Sequence, residues 1–393
     1  MPVLTSSPYR GTPPSQHLRL AITLATLGCS ALANAASVTP TVHYKFPFAY
    51  QNSYAGGRLA QGGDGRIFIA THESSNLPCG SLLALNPASG VVSKVTLDRD
   101  ALGCMPSETL NVDAQGTLWG SLSTKGPGKR GSLFRIPAGG SPTLAHAYTK
   151  SEGYAGGATP IPWADGSLRT VRVFTSQGSA GQFERNAAPA YQPELFRQVT
   201  ANDGITSPHT LASRGDGFLY GLAVNIEGEQ GGTSLFRVND AGNLKVLARF
   251  YPYGIVNGDL VDGHDGSFYL TINSGDNTPD GSVLRVSPEG QTTVLHLFNG
   301  ADGSHPTSAP IRAKDGWLYG TCATGGTHGQ GVIYRLQPDG GSYEVLYHFD
   351  GEARGGWPHS GLLQASDGRL YGRASGGGAH HSGVVYSFSP PAP

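Results

Sequence analysis

His209 and His359 each follow a proline directly, and Arg373 stands one residue beyond a Tyr-Gly pair. In otherwise similar stretches the matching positions hold Thr307 or Ser107 in place of the histidines and Thr321 in place of the arginine. Tyr154 opens a Tyr-Ala-Gly-Gly run that is repeated at Tyr54. An arginine can neutralise a carboxylate, and a tyrosine or histidine can take or give a proton. Together His209, His359, Tyr154 and Arg373 suit β-elimination on a uronic-acid-containing polysaccharide, the reaction of a polysaccharide lyase. Tyr54, His72 and Trp357 suit something less demanding. Flat rings with a polar edge stack on sugars and hydrogen-bond to them without any proton transfer. A metal site could draw on His305, His328, His359 and His380, but no HxH or HExxH spacing joins them, so neither metal nor cofactor is expected. No nucleophile elbow stands out, and the Gly-Gly runs recur as turns rather than as phosphate loops.

What could bring such scattered residues together is a repeat. Asp315-Gly316-Trp317-Leu318-Tyr319-Gly320 returns as Asp367-Gly368-Arg369-Leu370-Tyr371-Gly372. The glycines of this turn are Gly65, Gly116, Gly166, Gly217, Gly266, Gly316 and Gly368, spaced by 51, 50, 51, 49, 50 and 52 residues. A period this even marks one supersecondary unit written seven times. In the sixth unit the apolar runs are 308–313, 317–322, 331–337 and 343–349, each of strand length and composition. Asp-Gly between two such runs is a hairpin signal. Four-stranded units repeated radially make a β-propeller, which hides its sheet edges by closing a ring.

The ends of the chain fit the same scheme. The seventh unit ends after its third strand, Val384-Val385-Tyr386-Ser387-Phe388, while Val42-His43-Tyr44-Lys45-Phe46 matches the fourth strands Val294–Phe298 and Val345–Phe349. The N-terminal strand is therefore expected to close the last blade of an all-β, seven-bladed propeller spanning 36–393. Residues 1–35 read as a secretory signal, with the apolar run Leu20–Leu27 and an Ala33-Asn34-Ala35 cleavage site. Export allows a disulfide, and Cys79 and Cys104 fall in loops on one face of adjacent blades. Cys322, on a strand, is expected to be buried and inert. Lys and Arg number 27 against 28 Asp and Glu, without a basic stripe. Nucleic acid is a poor partner for such a surface, and no membrane contact is expected after signal cleavage. A monomer is expected.

Comparison among the repeats separates scaffold from candidates. Arg135, Arg197, Arg237, Arg285 and Arg335 recur and read as structural, bonding turn carbonyls or the turn aspartate. The third unit has drifted: Gly166-Ser167-Leu168-Arg169-Thr170-Val171 lacks the Tyr-Gly, and a long loop is expected from about Thr175 to Pro193.

Phe-x-Gly-x-Asp-Gly-x-x-Pro at 298–306, Leu-Tyr-Gly-Thr at 318–321 and Gly-Gly-x-x-x-x-Gly-Val at 325–332 resemble the GloVer tandem repeat of bacterial exported choice-of-anchor proteins. The resemblance covers nearly all of the mature chain, most clearly after about Gly204. It implies export and repetitive β architecture, and brings no activity or catalytic residues with it. After Phe388 no sorting or anchoring tail is read, so surface attachment is not expected. The loops between second and third strands, and those leading into each blade, share the face around a propeller's channel mouth, where ligand pockets form. Non-catalytic binding there, to a glycan or a cell-surface protein, is the first expectation, and uronate lyase activity is the alternative.

Overall fold

A computed structural model describes residues 37–392 except 48–56, 72–78, 108, 154–159, 173–180, 226–231, 251–255, 257–258 and 276–277. The signal segment therefore lies outside the described residues. Among the described residues, no helix is long and apolar enough to cross a membrane. The chain is all-β, with seven antiparallel sheets in sequence order. Each is a blade of four strands, and in blades two and seven the first strand is split in two by an interruption (Cys104–Pro106 and Asn111–Val112; Gly356–Pro358 and Leu363–Gln364). In blade six the strands are Ile311–Arg312, Leu318–Cys322, Val332–Leu336 and Tyr343–His348. The innermost strand is shorter than the apolar run 308–313 predicts, because only its last residues pair with their neighbour.

The ring closes as expected. Thr41–Lys45 pairs antiparallel with Val384–Phe388, Thr41 facing Ser387 and Lys45 facing Val384. Phe46 follows the strand fully buried, in a cluster with Ile67, Leu83, Tyr371 and Val385 that joins blade seven to blade one. Side chains near the turn staple neighbouring blades. Gln61 and Ser366 exchange two hydrogen bonds of 3.1 and 2.8 Å. Gln364 accepts from the Lys314 amide at 2.8 Å, and Arg312 donates to the Gly263 carbonyl at 2.9 Å.

The Tyr-Gly pairs explain themselves once the strands are in register. In six blades the turn aspartate accepts from the amide two residues on, and the intervening glycine has φ between 77° and 89°, a region that favours glycine. The other carboxylate oxygen takes the hydroxyl of the tyrosine four residues on: Tyr220–Asp216 at 2.6 Å, Tyr269–Asp265 at 2.8 Å, Tyr319–Asp315 and Tyr371–Asp367 at 2.7 Å. Burial, then the bond to the carboxylate, push each phenol above its ordinary pKa. The glycine after the tyrosine lies under an aromatic ring of the third strand. A Cβ at Gly320 would stand 2.3 Å from the Tyr334 hydroxyl, and one at Gly120 would stand 2.7 Å from the Phe134 ring. Blade five uses Leu270 facing Leu284 at the same place.

Blade three departs from the expected long loop. Its third strand is Gln182–Ala187 and its fourth is Gln192–Gln198, joined by a short turn. The strand was hidden because it is polar: Thr170 faces Glu184 where four other blades put glycine under an aromatic ring. Glu184, 1% exposed, receives Arg172 Nε at 2.6 Å, and Asn186 donates to Thr170 at 2.9 Å. Burial raises the Glu184 pKa, with Arg172 opposing it. Arg197 is also corrected. It lies on the fourth strand and pairs with Asp203, while Arg185 holds the third-strand position and reaches the turn Asp165 at 3.1 Å. Three of the other recurrent arginines lie over aromatic rings: Arg335 over Trp317 at 4.3 Å, Arg237 over Phe218 at 4.6 Å and Arg135 over Trp119 at 6.0 Å.

Cys79 and Cys104 form the expected disulfide, and Cys322 is a buried free thiol whose pKa burial raises well above the usual value. The bridge links positions 25 apart, so replacing both cysteines by serine should cost about 3–4 kcal/mol, read as a lower urea midpoint. Gly320→Ala should cost about 1–3 kcal/mol by overpacking against Tyr334, and adding Tyr334→Leu should recover most of it. Urea titration of the single and double variants checks this, and failure of the second change to restore stability would contradict the packing.

Candidate functional site

The disulfide fixes which loops share a face: Cys79 lies between the second and third strands of blade one, and Cys104 leads into blade two. Backbone staples repeat the arrangement. The Met105 amide donates to the Cys79 carbonyl at 2.9 Å, His305 to Asp280 at 2.9 Å and Trp357 to Gln330 at 2.8 Å. Each donor has a φ of 52° to 61°, left-handed for a residue with a side chain, and each precedes a proline. Such a backbone costs about 1–2 kcal/mol, and the bond to the preceding blade helps offset it. The backbone is therefore scaffold, and the side chain it presents (Met, His or Trp) is free to vary.

At this position blade seven presents Trp357. Its ring rests on Gly376, where a Cβ would stand 2.4 Å from the indole, and it is 43% exposed. One face is packed while much of the side chain meets water. The Ser375 hydroxyl donates to its carbonyl at 3.0 Å and holds the segment in place. His305, the counterpart in blade six, is occupied locally: its Nδ1 lies 2.7 Å from Ser304 Oγ and 2.9 Å from Thr324 Oγ1.

His359 is half-buried and lies within the field of Arg373. Burial first, and then Arg373, hold its pKa below the ordinary value, so the imidazole is neutral at pH 7. Arg373 is 2% exposed, with its guanidinium 4.6 Å from the centre of the Phe46 ring, and burial brings its pKa down to about 10. Its amide is held by Ser360 Oγ at 2.9 Å. His209, on the first strand of blade four, is exposed to water, with Nδ1 3.2 Å from the Ser207 carbonyl. Desolvation by the protein around it lowers its pKa, outweighing that carbonyl. Thus His359 and Arg373 come together in blade seven beside Trp357, while His209 belongs to another blade. Tyr54, His72 and Tyr154 lie outside the described residues. Among the described residues no three His, Cys, Asp or Glu side chains gather as metal ligands.

Two charged residues escaped the sequence reading. Arg58 Nε lies 2.8 Å from Asp259 Oδ2, although Arg58 precedes the inner strand of blade one and Asp259 that of blade five. These blades are not neighbours, so the pair meets across the channel. Each residue stands one place before a buried leucine, Leu59 or Leu260, that anchors the inner strand. Aligning the repeats on that leucine would have revealed two charges at a position held elsewhere by Thr109, Thr210, Ala309 and Gly361. Away from the mouth, a groove of about 700 Å³ runs between the outer strands of blades one and two, lined by Arg66, Lys94, Asp98, Leu102, Pro142 and Leu144.

The fold has solved relatives. The extracellular domain of a hybrid two component system from B. thetaiotaomicron superposes with a TM-score of 0.55 at 9% identity, over 91% of this chain and 40% of that one. A second structure, described as that of a one component system from the same organism, gives 0.54 at 10% identity, over 90% and 42%. A calcium-binding protein, regucalcin from Agrobacterium tumefaciens, gives 0.48 at 14% identity, over 92% and 96%. None of the curated proteins matches this chain in sequence. Residues 255–392, blades six and seven with most of blade five, match the family model of the Gloeobacter/Verrucomicrobia repeat, the repeat that the motifs at 298–332 resemble.

Proposed function

We propose that this chain is an exported propeller that binds carbohydrate on its loop face without catalysis. The observation that carries this reading is Trp357, held by a left-handed backbone, backed by Gly376 and open to water. A rigid indole with a free face is the platform on which a sugar ring stacks. His359, neutral at pH 7, adds a hydrogen-bonding group two residues away. The disulfide supports export, since such bonds persist in oxidising compartments. Uronate cleavage fits these surroundings less well than binding. The arginine that would neutralise the carboxylate, Arg373, is enclosed over Phe46.

Immobilised neutral and acidic polysaccharides should retain the mature protein with no rise in absorbance near 235 nm, the signature of an unsaturated product. Trp357→Ala should weaken retention about tenfold, equivalent to about 1.4 kcal/mol. A growing 235 nm signal abolished by Arg373→Ala would establish the lyase instead, and retention by no glycan would turn attention to a cell-surface protein as partner.

Acid should weaken the fold through His209 and His359. Both have folded pKa values below the ordinary value of about 6.5, so the unfolded chain takes up protons first. Their contribution is complete above pH 6.5 and is lost as pH falls below it. The urea midpoint should drop between pH 7 and pH 5, and His359→Gln should reduce that drop.

A further inference from the structure

Blade two breaks the turn scheme of its siblings. Gln115 stands where the other six blades have the turn aspartate, and Trp119 where four of them have the tyrosine. The bonds of the turn are made all the same, but by Asp113. Its Oδ1 accepts from the Gln115 and Thr117 amides at 3.0 and 2.8 Å, and its Oδ2 from Trp119 Nε1 at 2.8 Å. Relieved of the turn, the exposed Gln115 carboxamide makes no hydrogen bond among the described residues.

Blade three departs beside it. Three residues before the turn aspartate, Gln61, Gln364 and Arg312 reach across to the preceding blade. Blade three has Pro162 there, which has no side-chain donor or acceptor. One place on, where four blades hold Gly62, Gly263, Ala313 or Ala365, it has Trp163. Nearer the channel the two blades are joined, Asn111 Nδ2 donating to the Pro160 carbonyl at 3.2 Å. At the turns they open into a cavity of about 210 Å³. Trp163, Trp119, Pro162 and Val112 give it an apolar lining, and Asp113 and Gln115 a polar one. The Trp163 ring is held from one side by the Arg169 guanidinium, 4.8 Å from its centre, which is fully buried and donates to Asp240 at 2.7 Å. The Asp-Gly turns and the loops of the mouth lie at opposite ends of the strands, so this cavity is on the face away from Trp357.

We propose that this cavity is a second binding site, taking one ring of a neutral sugar between blades two and three. It goes beyond the function put forward above and uses none of the residues of the mouth. Its volume is below the about 300 Å³ at which drug-sized pockets begin, so it admits a single ring and not a length of chain. Indole and proline surfaces suit the apolar face of a pyranose. The Gln115 carboxamide donates to one hydroxyl and accepts from its neighbour, and the remaining lone pair of Asp113 Oδ2 accepts from a third. Charged ligands are disfavoured on both signs. Asp113 repels an anion, and buried Arg169, already engaged by Asp240 and Asp165, offers it nothing. A cation would have to share the Trp163 ring with the Arg169 guanidinium.

Calorimetric titration separates this site from the mouth. The mature wild type and its Trp357→Ala variant are titrated with mannobiose, xylobiose, cellobiose and chitobiose, and with digalacturonate as the acidic counterpart. The Trp357→Ala protein should still bind a neutral disaccharide, and digalacturonate at least tenfold more weakly. In that background Trp163→Ala should abolish binding, while Trp163→Phe, which keeps a flat ring, should retain it. Gln115→Ala should weaken binding about tenfold at an unchanged melting temperature, since the side chain bonds nothing in the fold. Pro162→Gln, which gives blade three the side chain that staples blade seven, should close the cavity and weaken binding without lowering the melting temperature. Failure of Trp357→Ala to bind any of these sugars, or binding that Trp163→Ala and Gln115→Ala leave undiminished, would overturn the second site and leave the mouth to be judged on the wild type. Equal or tighter binding of digalacturonate would overturn the ligand class. No binding by the wild type would overturn both this site and the reading of the mouth.

Discussion

The pairing of Thr41–Lys45 with Val384–Phe388 is the constraint on which the other features depend. Each blade has two broad faces, and each face is buried only against the next blade in the ring. The cluster of Phe46, Leu59, Ile69, Leu85, Tyr371 and Val385 exists because the two ends of the chain share one sheet. Were that sheet open, blades seven and one would expose these surfaces. Arg373 would also lose Phe46, the ring over which its guanidinium lies. Closure further sets the distances across the channel, and so allows an arginine of blade one to meet an aspartate of blade five.

Within that ring the blades use one packing scheme with substitutions. Glycine beneath an aromatic ring appears as Gly120 with Phe134, Gly221 with Phe236, Gly320 with Tyr334 and Gly372 with Tyr386. Blade five fills the same volume with two leucines, and blade three with threonine, glutamate and Arg172. The last solution is the costly one. Removing either Arg172 or Glu184 alone would leave an uncompensated buried charge, whereas an apolar pair is insensitive to its neighbours. A blade-three core of this kind is consistent with a blade that has drifted from its siblings while keeping its place in the ring.

The period, the strand count and the closing strand were legible in sequence because they are carried by local signals that recur: Asp-Gly turns, Tyr-Gly pairs and a displaced copy of the fourth strand. Cys79 and Cys104 followed from topology. Blade three's third strand was not legible, since Gln182, Glu184 and Asn186 occupy inward positions that elsewhere announce themselves by hydrophobic alternation. Arg197 was confused with Arg185 for the same reason: without that strand the repeat loses register. The channel pair was invisible because its members are 201 positions apart and neither belongs to a motif. His359, Arg373 and Trp357 were found by asking which polar or aromatic residues a blade does not need, and they do gather in one blade. That approach did not show that Arg373 would be enclosed, because enclosure depends on Phe46, which arrives from the other end of the chain.

The proposed binding face, built from variable side chains on a repeated backbone, fits a protein whose stability resides elsewhere. The staples from Met105, His305 and Trp357 hold the mouth whatever side chain they present, so ligand contacts can change without loosening the ring. All of this requires the ring to be closed by the leading strand. Hydrogen–deuterium exchange of the mature protein, followed on peptides covering 41–46 and 384–388, tests that directly. The two segments should be protected alike and lose protection together on adding urea. Rapid exchange across 41–46 while 384–388 remains protected would show the first strand to be detached, and would contradict the closed ring.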